Sequence, residues 1–380
     1  MKERLRRRMK ALCGLSGVAG HEQEVVRYLA DALRPLADDV TVDRFGTVYA
    51  RRSGRSERPR LMFAAHSDQI GFVVKRIDPE GFVRFERLGA IMDSLLPARQ
   101  VRVKGRLGVI GAKPAHVYTG AGAVIGPRLG PDDAAANSGL SYRNLFVDLG
   151  ARSAEEVRSW GIEVGDPICF EPDLKEMGNG DILCGTAVDN RCACALLVEL
   201  FRDLQGLDLP GTLYGVVTVQ EDVVLRGAHI AAYHVDPDLA LALDISLTDD
   251  TPDLRQGEPQ VRMGGGPVLT LVGGSISMPQ PGGRVTVTPA VRRIVLETAQ
   301  RRGIPVQVET NYHSSGDAAY FQMVRRGVPA GYLGVAPGRY FHTPVEVIDL
   351  NDVVKSLELL KAIALEVDEK TNLGFFDISP

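Results

Sequence analysis

Residues 213–222, LYGVVTVQED, form a nearly continuous apolar run that stops abruptly on two adjacent carboxylates. A run of this length and composition reads as a buried strand with its polar residues held at one end. Three more stretches follow the same plan. RLMFAA (60–65) runs into His66, Ser67 and Asp68, LALAL (239–243) runs into Asp244, and GYLGVAPG (331–338) leads by a short loop to His342. GTAVDN (185–190) places Asp189 at the start of a helix whose apolar positions, Ala193, Leu196, Leu197, Leu200, Phe201 and Leu204, share one face until Gly206 ends it. Further helices are predicted over 21–36, 226–234, 289–302 and 352–367. Strands alternating with helices predict an α/β fold, a mixed sheet flanked by helices.

Between 71 and 166 the pattern changes. Segments such as GFVRFERL (81–88) and ARQVRVKGRLGVIGA (98–112) alternate with period two and are broken by Gly or Pro, the pattern of a small all-β barrel. GPRLGPDDAAANSGL (126–140) lies inside this block and reads as a mobile loop. An all-β block between two α/β segments predicts an insertion: a discontinuous α/β domain from 1–70 and 167–380, and an inserted barrel domain from 71–166.

The composition agrees with this division. A chain of 380 residues is too long for one ordinary core. With 44% hydrophobic and 24% charged residues it is an ordinary globular sequence, so wholesale disorder is excluded. Its net charge of −4 argues against nucleic acid or an anionic membrane as the main partner. No apolar run approaches the roughly 20 residues needed to span a bilayer. Five cysteines in so long a chain fit a reduced compartment better than a disulfide framework. The basic amino terminus, MKERLRRRMKAL, has no continuous apolar region after it, so it reads as a surface helix with Arg6–Arg8 on a solvated face, and the expected location is cytoplasmic.

In an open α/β sheet the carboxyl ends of the strands form the ligand crevice, so the polar strand ends are expected to converge there. The set is suited to a pair of divalent ions. Asp189, Asp222 and Asp244 bring three negative charges against four positive ones, and the surplus favours a bound hydroxide, as a hydrolase requires. Each residue alone has a plainer reading: Asp189 as a helix N-cap, His66 as a satisfied polar group, Glu221 and Asp222 as surface charge, Asp244 as a turn cap. The case rests on their coincidence at one sheet edge, and spacing alone does not name the reaction.

The motifs resemble those of the M42 metallo-aminopeptidases, a family that includes glutamyl aminopeptidases and tetrahedral self-compartmentalising peptidases. The similar stretches begin at Leu15 (LSGVAGHEQEV), Asp43 (DRFGTVYA), His66 (HSDQIGF), Asp148 (DLGARSAEEVRSWGIEVGD), Gly185 (GTAVDNR), Val219 (VQEDVVLRGA), Ala242 (ALDISLTDD), Met263 (MGGGPVL) and Arg339 (RYFHTPVEVIDL), and together cover nearly the whole chain. The resemblance implies a zinc-peptidase-like catalytic domain with two metal ions per subunit, zinc or cobalt before manganese. By motif, Asp189 is the bridging carboxylate, His66 and Asp244 complete one metal, and Asp222 and His342 complete the other. Glu221 is the general base, and Asp68 orients the site from behind His66. The resemblance further implies peptide substrates with a free amino terminus, and a homo-oligomer, with dodecamers common, in which the β insert mediates contacts.

Three positions depart from the family pattern. Asp222 stands where Glu is usual, which is expected to weaken or shift the second metal. Val224 stands where Gly is usual. SSGDAAY replaces the usual Thr-Asp-Ala surroundings and keeps the carboxylate as Asp317. Two other functions fit these residues less well. A glycoside hydrolase needs two carboxylates facing each other across a sugar at roughly 5–9.5 Å, which adjacent Glu221 and Asp222 do not suggest. A non-catalytic assembly protein would hold no metal. GAGAVIG (120–126) lacks the glycine spacing of a dinucleotide loop and reads as a tight turn. Cys192 and Cys194 read as buried thiols, His116, His229 and His234 as structural, and His313 as a residue that could line the pocket.

Overall fold

The computed structural model describes residues 1–111, 141–254, 257, 259–274, 284–311 and 316–376. The glycine-rich stretches 120–126 and 126–140, together with His116 and His313, lie outside the described residues. The chain divides into two compact units, one made of Met1–Gln69, Pro172–Phe341 and Val345–Pro380, the other of Ile70–Glu171 and His342–Pro344.

The larger unit is built on a twelve-stranded mixed sheet. At its centre the strands Thr212–Thr218, Arg60–His66, Leu239–Leu247 and Ala330–Arg339 lie side by side and parallel. Parallel strands of this kind are buried on both faces, which is why they read as continuous apolar runs. In the strand Arg60–His66, Leu61, Phe63 and Ala65 join one core and Met62 and Ala64 join the other, the period-two alternation of a pleated strand. The first core packs the sheet against the helices Lys2–Cys13, Gln23–Leu33, Val188–Asp203, Pro289–Arg302 and Leu350–Glu366; the second packs it against Arg226–Val235 and Ala318–Phe321.

The helix Val188–Asp203 is buried on nearly all sides, so it is apolar on nearly all sides. Asn190, Arg191 and Glu199 are its buried polar exceptions, and Glu199 carries a charge deep in the core. It is 1% exposed at the side chain, and both Arg4 and Arg8 of the first helix donate to it at 2.7 Å. This corrects the expectation for Arg6–Arg8: Arg7 is solvated, but Arg8 is 13% exposed and neutralises a buried carboxylate 191 residues away. A charge inside a core must be paired, and sequence-local patterning does not reveal the partner.

The smaller unit is a closed six-stranded barrel, in the order Gly71–Ile77, Val83–Leu88, Phe146–Asp148, Arg106–Gly111, Gln100–Val103, Pro167–Phe170. Phe72, Val74, Phe85, Val101, Val103, Ile110, Val147 and Ile168 fill its interior, the inward half of each alternating strand. No helix among the described residues is long and apolar enough to cross a membrane.

Candidate metal centre

The four parallel strands present their carboxyl ends along one edge. His66 ends its strand in register with Thr218 of the neighbour, and Glu221 and Asp222 follow three and four residues after Thr218. On the other side Ala242 pairs with Ala64, so Asp244 continues past the last paired residue to the level of His66. His66 is 3% exposed and sits at the centre of the cluster. Its Nε2 lies 3.2 Å from Asp189 Oδ1 and 3.6 Å from Asp244 Oδ1, and its Nδ1 lies 3.5 Å from Asp68 Oδ1. Two trios, His66 with Glu221 and Asp244, and His66 with Asp68 and Asp222, each bring donor atoms within 4.8 Å of one another.

Asp189 reaches the cluster by breaking its helix. Its φ and ψ are −76° and 111°, and those of Asn190 are −118° and 38°, so the chain turns here before the regular helix begins. The Asp189 N–H donates to Glu346 Oε2 at 2.9 Å, and Asn190 Nδ2 donates to the Leu243 carbonyl at 2.8 Å, beside Asp244. Asp189 is therefore not the N-cap that a lone Asp at a helix start suggests. Beneath the cluster, the Cys194 thiol donates to the His66 carbonyl at 3.1 Å, and burial pushes that thiol up to about 12. Cys192 and Cys194 are buried, unionised packing groups.

Asp68 is fully buried and organises the opposite side. Its Oδ1 accepts the N–H of Glu221 at 3.0 Å and its Oδ2 accepts that of Asp222 at 2.9 Å. Burial pushes Asp68 up, but His66 and these two amides outweigh it and leave the carboxyl below its ordinary value. Burial likewise drives His66 down, but the charge of Glu221 and contacts with Asp189, Asp244 and Asp68 hold the imidazole well above its usual range. Glu221 is raised well above a normal carboxyl by burial and then by Asp244, Asp222 and Asp317, against the opposing pull of His66. Asp244 is raised by burial, with Asp189 adding to it and His66 opposing. The cluster thus carries more carboxylate than one imidazole can balance, and what lowers its energy is further positive charge. Oxygen donors with one imidazole suit zinc, cobalt or manganese.

His342 is placed differently. It falls with the barrel unit, has φ 55°, and its Nδ1 lies 2.8 Å from the Ala90 carbonyl. His229 and His234 lie away from the cluster and meet the rings of Tyr320 and Tyr49. Asp317 is 4% exposed and accepts a 2.5 Å hydrogen bond from the Thr218 hydroxyl; burial raises it to about 7. Glu22 and Glu346, which hold backbone amides of the site, were not singled out by the sequence. Both lie inside stretches that carry the family resemblance, LSGVAGHEQEV and RYFHTPVEVIDL, and that is the signal that could have found them.

Val224 is 39% exposed with φ 119°, a region that a β-branched residue rarely adopts. Such strain costs about 1–3 kcal/mol, and glycine's extra chain entropy returns about 0.5–1 kcal/mol of any gain. Val224→Gly is therefore expected to stabilise the protein by about 1 kcal/mol, read from thermal unfolding; a destabilised variant would show that the turn is not strained.

Carboxylates gathered around a histidine at the carboxyl edge of an α/β sheet are the setting of a metal-dependent hydrolase. The chain belongs to the M42 glutamyl aminopeptidase family, whose pattern matches residues 46–359, and it is a peptide hydrolase. It is 32% identical over 365 residues to the lysyl aminopeptidase of Pyrococcus furiosus, covering 94% of this chain and 96% of that one. The TET aminopeptidase of the marine sediment archaeon Thaumarchaeota archaeon SCGC AB-539-E09 superposes with a TM-score of 0.84 at 32% identity, covering 97% and 98% of the two chains. The Pyrococcus horikoshii TET1 peptidase, which can assemble into a tetrahedron or a large octahedral shell, gives 0.79 at 28% identity, covering 96% and 100%.

Proposed function

We propose that the protein is a two-metal aminopeptidase that removes amino-terminal residues from peptides one at a time. The observation that carries this reading is the placement of His66 between Asp189 and Asp244, with Glu221 and Asp222 hung side by side from Asp68. His66, Asp189 and Asp244 would hold one ion; Asp189 and Asp222 would hold the other, with the part of His342 resting on its sequence motif alone. Such ions polarise a peptide carbonyl and acidify water. Glu221, with its carboxyl raised by burial above the ordinary carboxylate range, takes the proton from the attacking water and passes it to the leaving amine. Asp68 keeps His66 in one tautomer and orientation by facing its Nδ1. The shorter side chain of Asp222 makes the second ion the weaker of the two.

The family relationship and the TET peptidases support a homo-oligomer, which we assign to contacts through the barrel unit. The deciding experiment combines metal counting, light scattering and a panel of aminoacyl chromogenic substrates with zinc, cobalt or manganese. Two ions per chain, a multi-subunit particle and metal-dependent release of the chromophore are expected. Tight binding of no metal, with no release from any substrate, would leave an assembly protein instead.

A further inference from the structure

The segment that carries Glu221 and Asp222 is held at three successive backbone amides. Asp68 accepts two of them, and Glu22 Oε1 accepts the third, the N–H of Gln220, at 3.0 Å. Gln220 is a non-glycine residue with φ 57°, so at this residue the chain leaves the strand direction and turns toward the cluster. Glu22 is 5% exposed and stands 198 residues from its partner, just ahead of the helix Gln23–Leu33.

Its carboxylate is anchored by a packed segment. The Gln69 N–H donates to the Gly17 carbonyl at 3.0 Å, and Val18 bridges to Gln69. The buried Arg191 guanidinium donates to the Leu12 and Gly17 carbonyls and to Gln69 Oε1. A Cβ on Gly17 would come within 2.8 Å of both Arg191 Nη2 and Val25 Cγ2, so residue 17 has no room for a side chain. Burial and the charge of Asp68 push Glu22 up, and the backbone N–H groups of Gly20, Glu22 and Gln220 pull it back. A buried carboxylate bonded mainly to backbone amides fixes geometry; it does not neutralise a cation.

We infer that Glu22 is a positioning residue for the reaction: by holding the Gln220 amide it sets the direction in which Glu221 and Asp222 enter the site. This rests on the reading of Glu221 as the base. Withdrawing the acceptor lets the left-handed residue relax, and displacement of a reacting group by about 1 Å costs up to about 10²-fold in rate.

Three variants separate the acceptor from the charge. Glu22→Gln keeps an oxygen at the same reach without charge, Glu22→Asp keeps the charge but withdraws the oxygen, and Glu22→Ala removes both. In the metal-loaded protein, Ala and Asp are expected to lower kcat by about 10- to 100-fold with KM little changed, while Gln, which still accepts from the Gln220 amide but turns its NH2 toward the other amide donors, is expected to lose clearly less than either. Amide exchange of the peptide spanning 219–223, followed by mass spectrometry without substrate, is expected to quicken in Ala and Asp and to stay near wild type in Gln. Wild-type kcat and exchange in Ala and Asp would overturn the inference, as would a Gln variant as impaired as Asp. If Ala does not fold, the Asp and Gln pair decides alone. A wild-type chain that hydrolyses nothing would count against the aminopeptidase reading, and the exchange measurement would still judge Glu22.

Discussion

Glu221→Gln is expected to lower kcat on aminoacyl substrates by about 10²- to 10⁴-fold, the usual contribution of a general base, while two metal ions stay bound. The amide matches the carboxylate in size, and Glu221 has no metal-binding part in the proposed site. Metal counting by elemental analysis beside the kinetics tests both halves; full activity would remove Glu221 as the base, and loss of metal would make it a ligand. The substitution also predicts a pH effect on the metal-free chain. The Glu221 carboxyl is raised in the folded protein, so the folded state binds its proton more tightly than the unfolded chain. Above the ordinary carboxylate range the unfolded chain releases this proton while the folded one still holds it, so the wild type loses stability there, and Gln has no such proton to lose. The variant should therefore unfold at higher denaturant than wild type at neutral pH, with the gap closing as pH falls below that range.

Asp68→Asn is expected to be nearly as damaging, although it is isosteric. Asp68 offers an acceptor oxygen to each of two N–H groups. Asn has one carbonyl oxygen, so its NH2 must face the second donor, and a buried N–H is left unsatisfied at a cost of about 1–3 kcal/mol. His66 loses its carboxylate neighbour at the same time. Partners of this kind change metal affinity or activity by about 10- to 100-fold. Metal titration and turnover of the variant check this; unchanged values in both would show that the two amides are indifferent to what holds them.

Much of this candidate site was legible in the sequence because most of its residues share one local signature. An apolar run that ends on a charged residue needs no tertiary information to be noticed, and His66, Glu221, Asp222 and Asp244 all announce themselves that way. The α/β character was legible for the same reason, since strands buried on both faces are continuous in composition. The short edge strands, such as Leu174–Met177 and Val285–Thr286, bury too little to leave a pattern. Glu22 and Glu346 were silent because a carboxylate that accepts a backbone N–H has no partner side chain to mark the other end of the bond. Arg8 and Glu199 are each ordinary in their own neighbourhoods, and their pairing exists only once the first helix has docked.

The bond from the Asp189 amide to Glu346 has a consequence for how the protein is made. Ribosomal synthesis delivers His66, Asp189, Glu221 and Asp244 well before Glu346, so a nascent chain can assemble the sheet edge while the loop bearing Asp189 still lacks its far anchor. The centre would then mature last, after the strand Glu346–Asp349 has been added beside Ile182–Gly185.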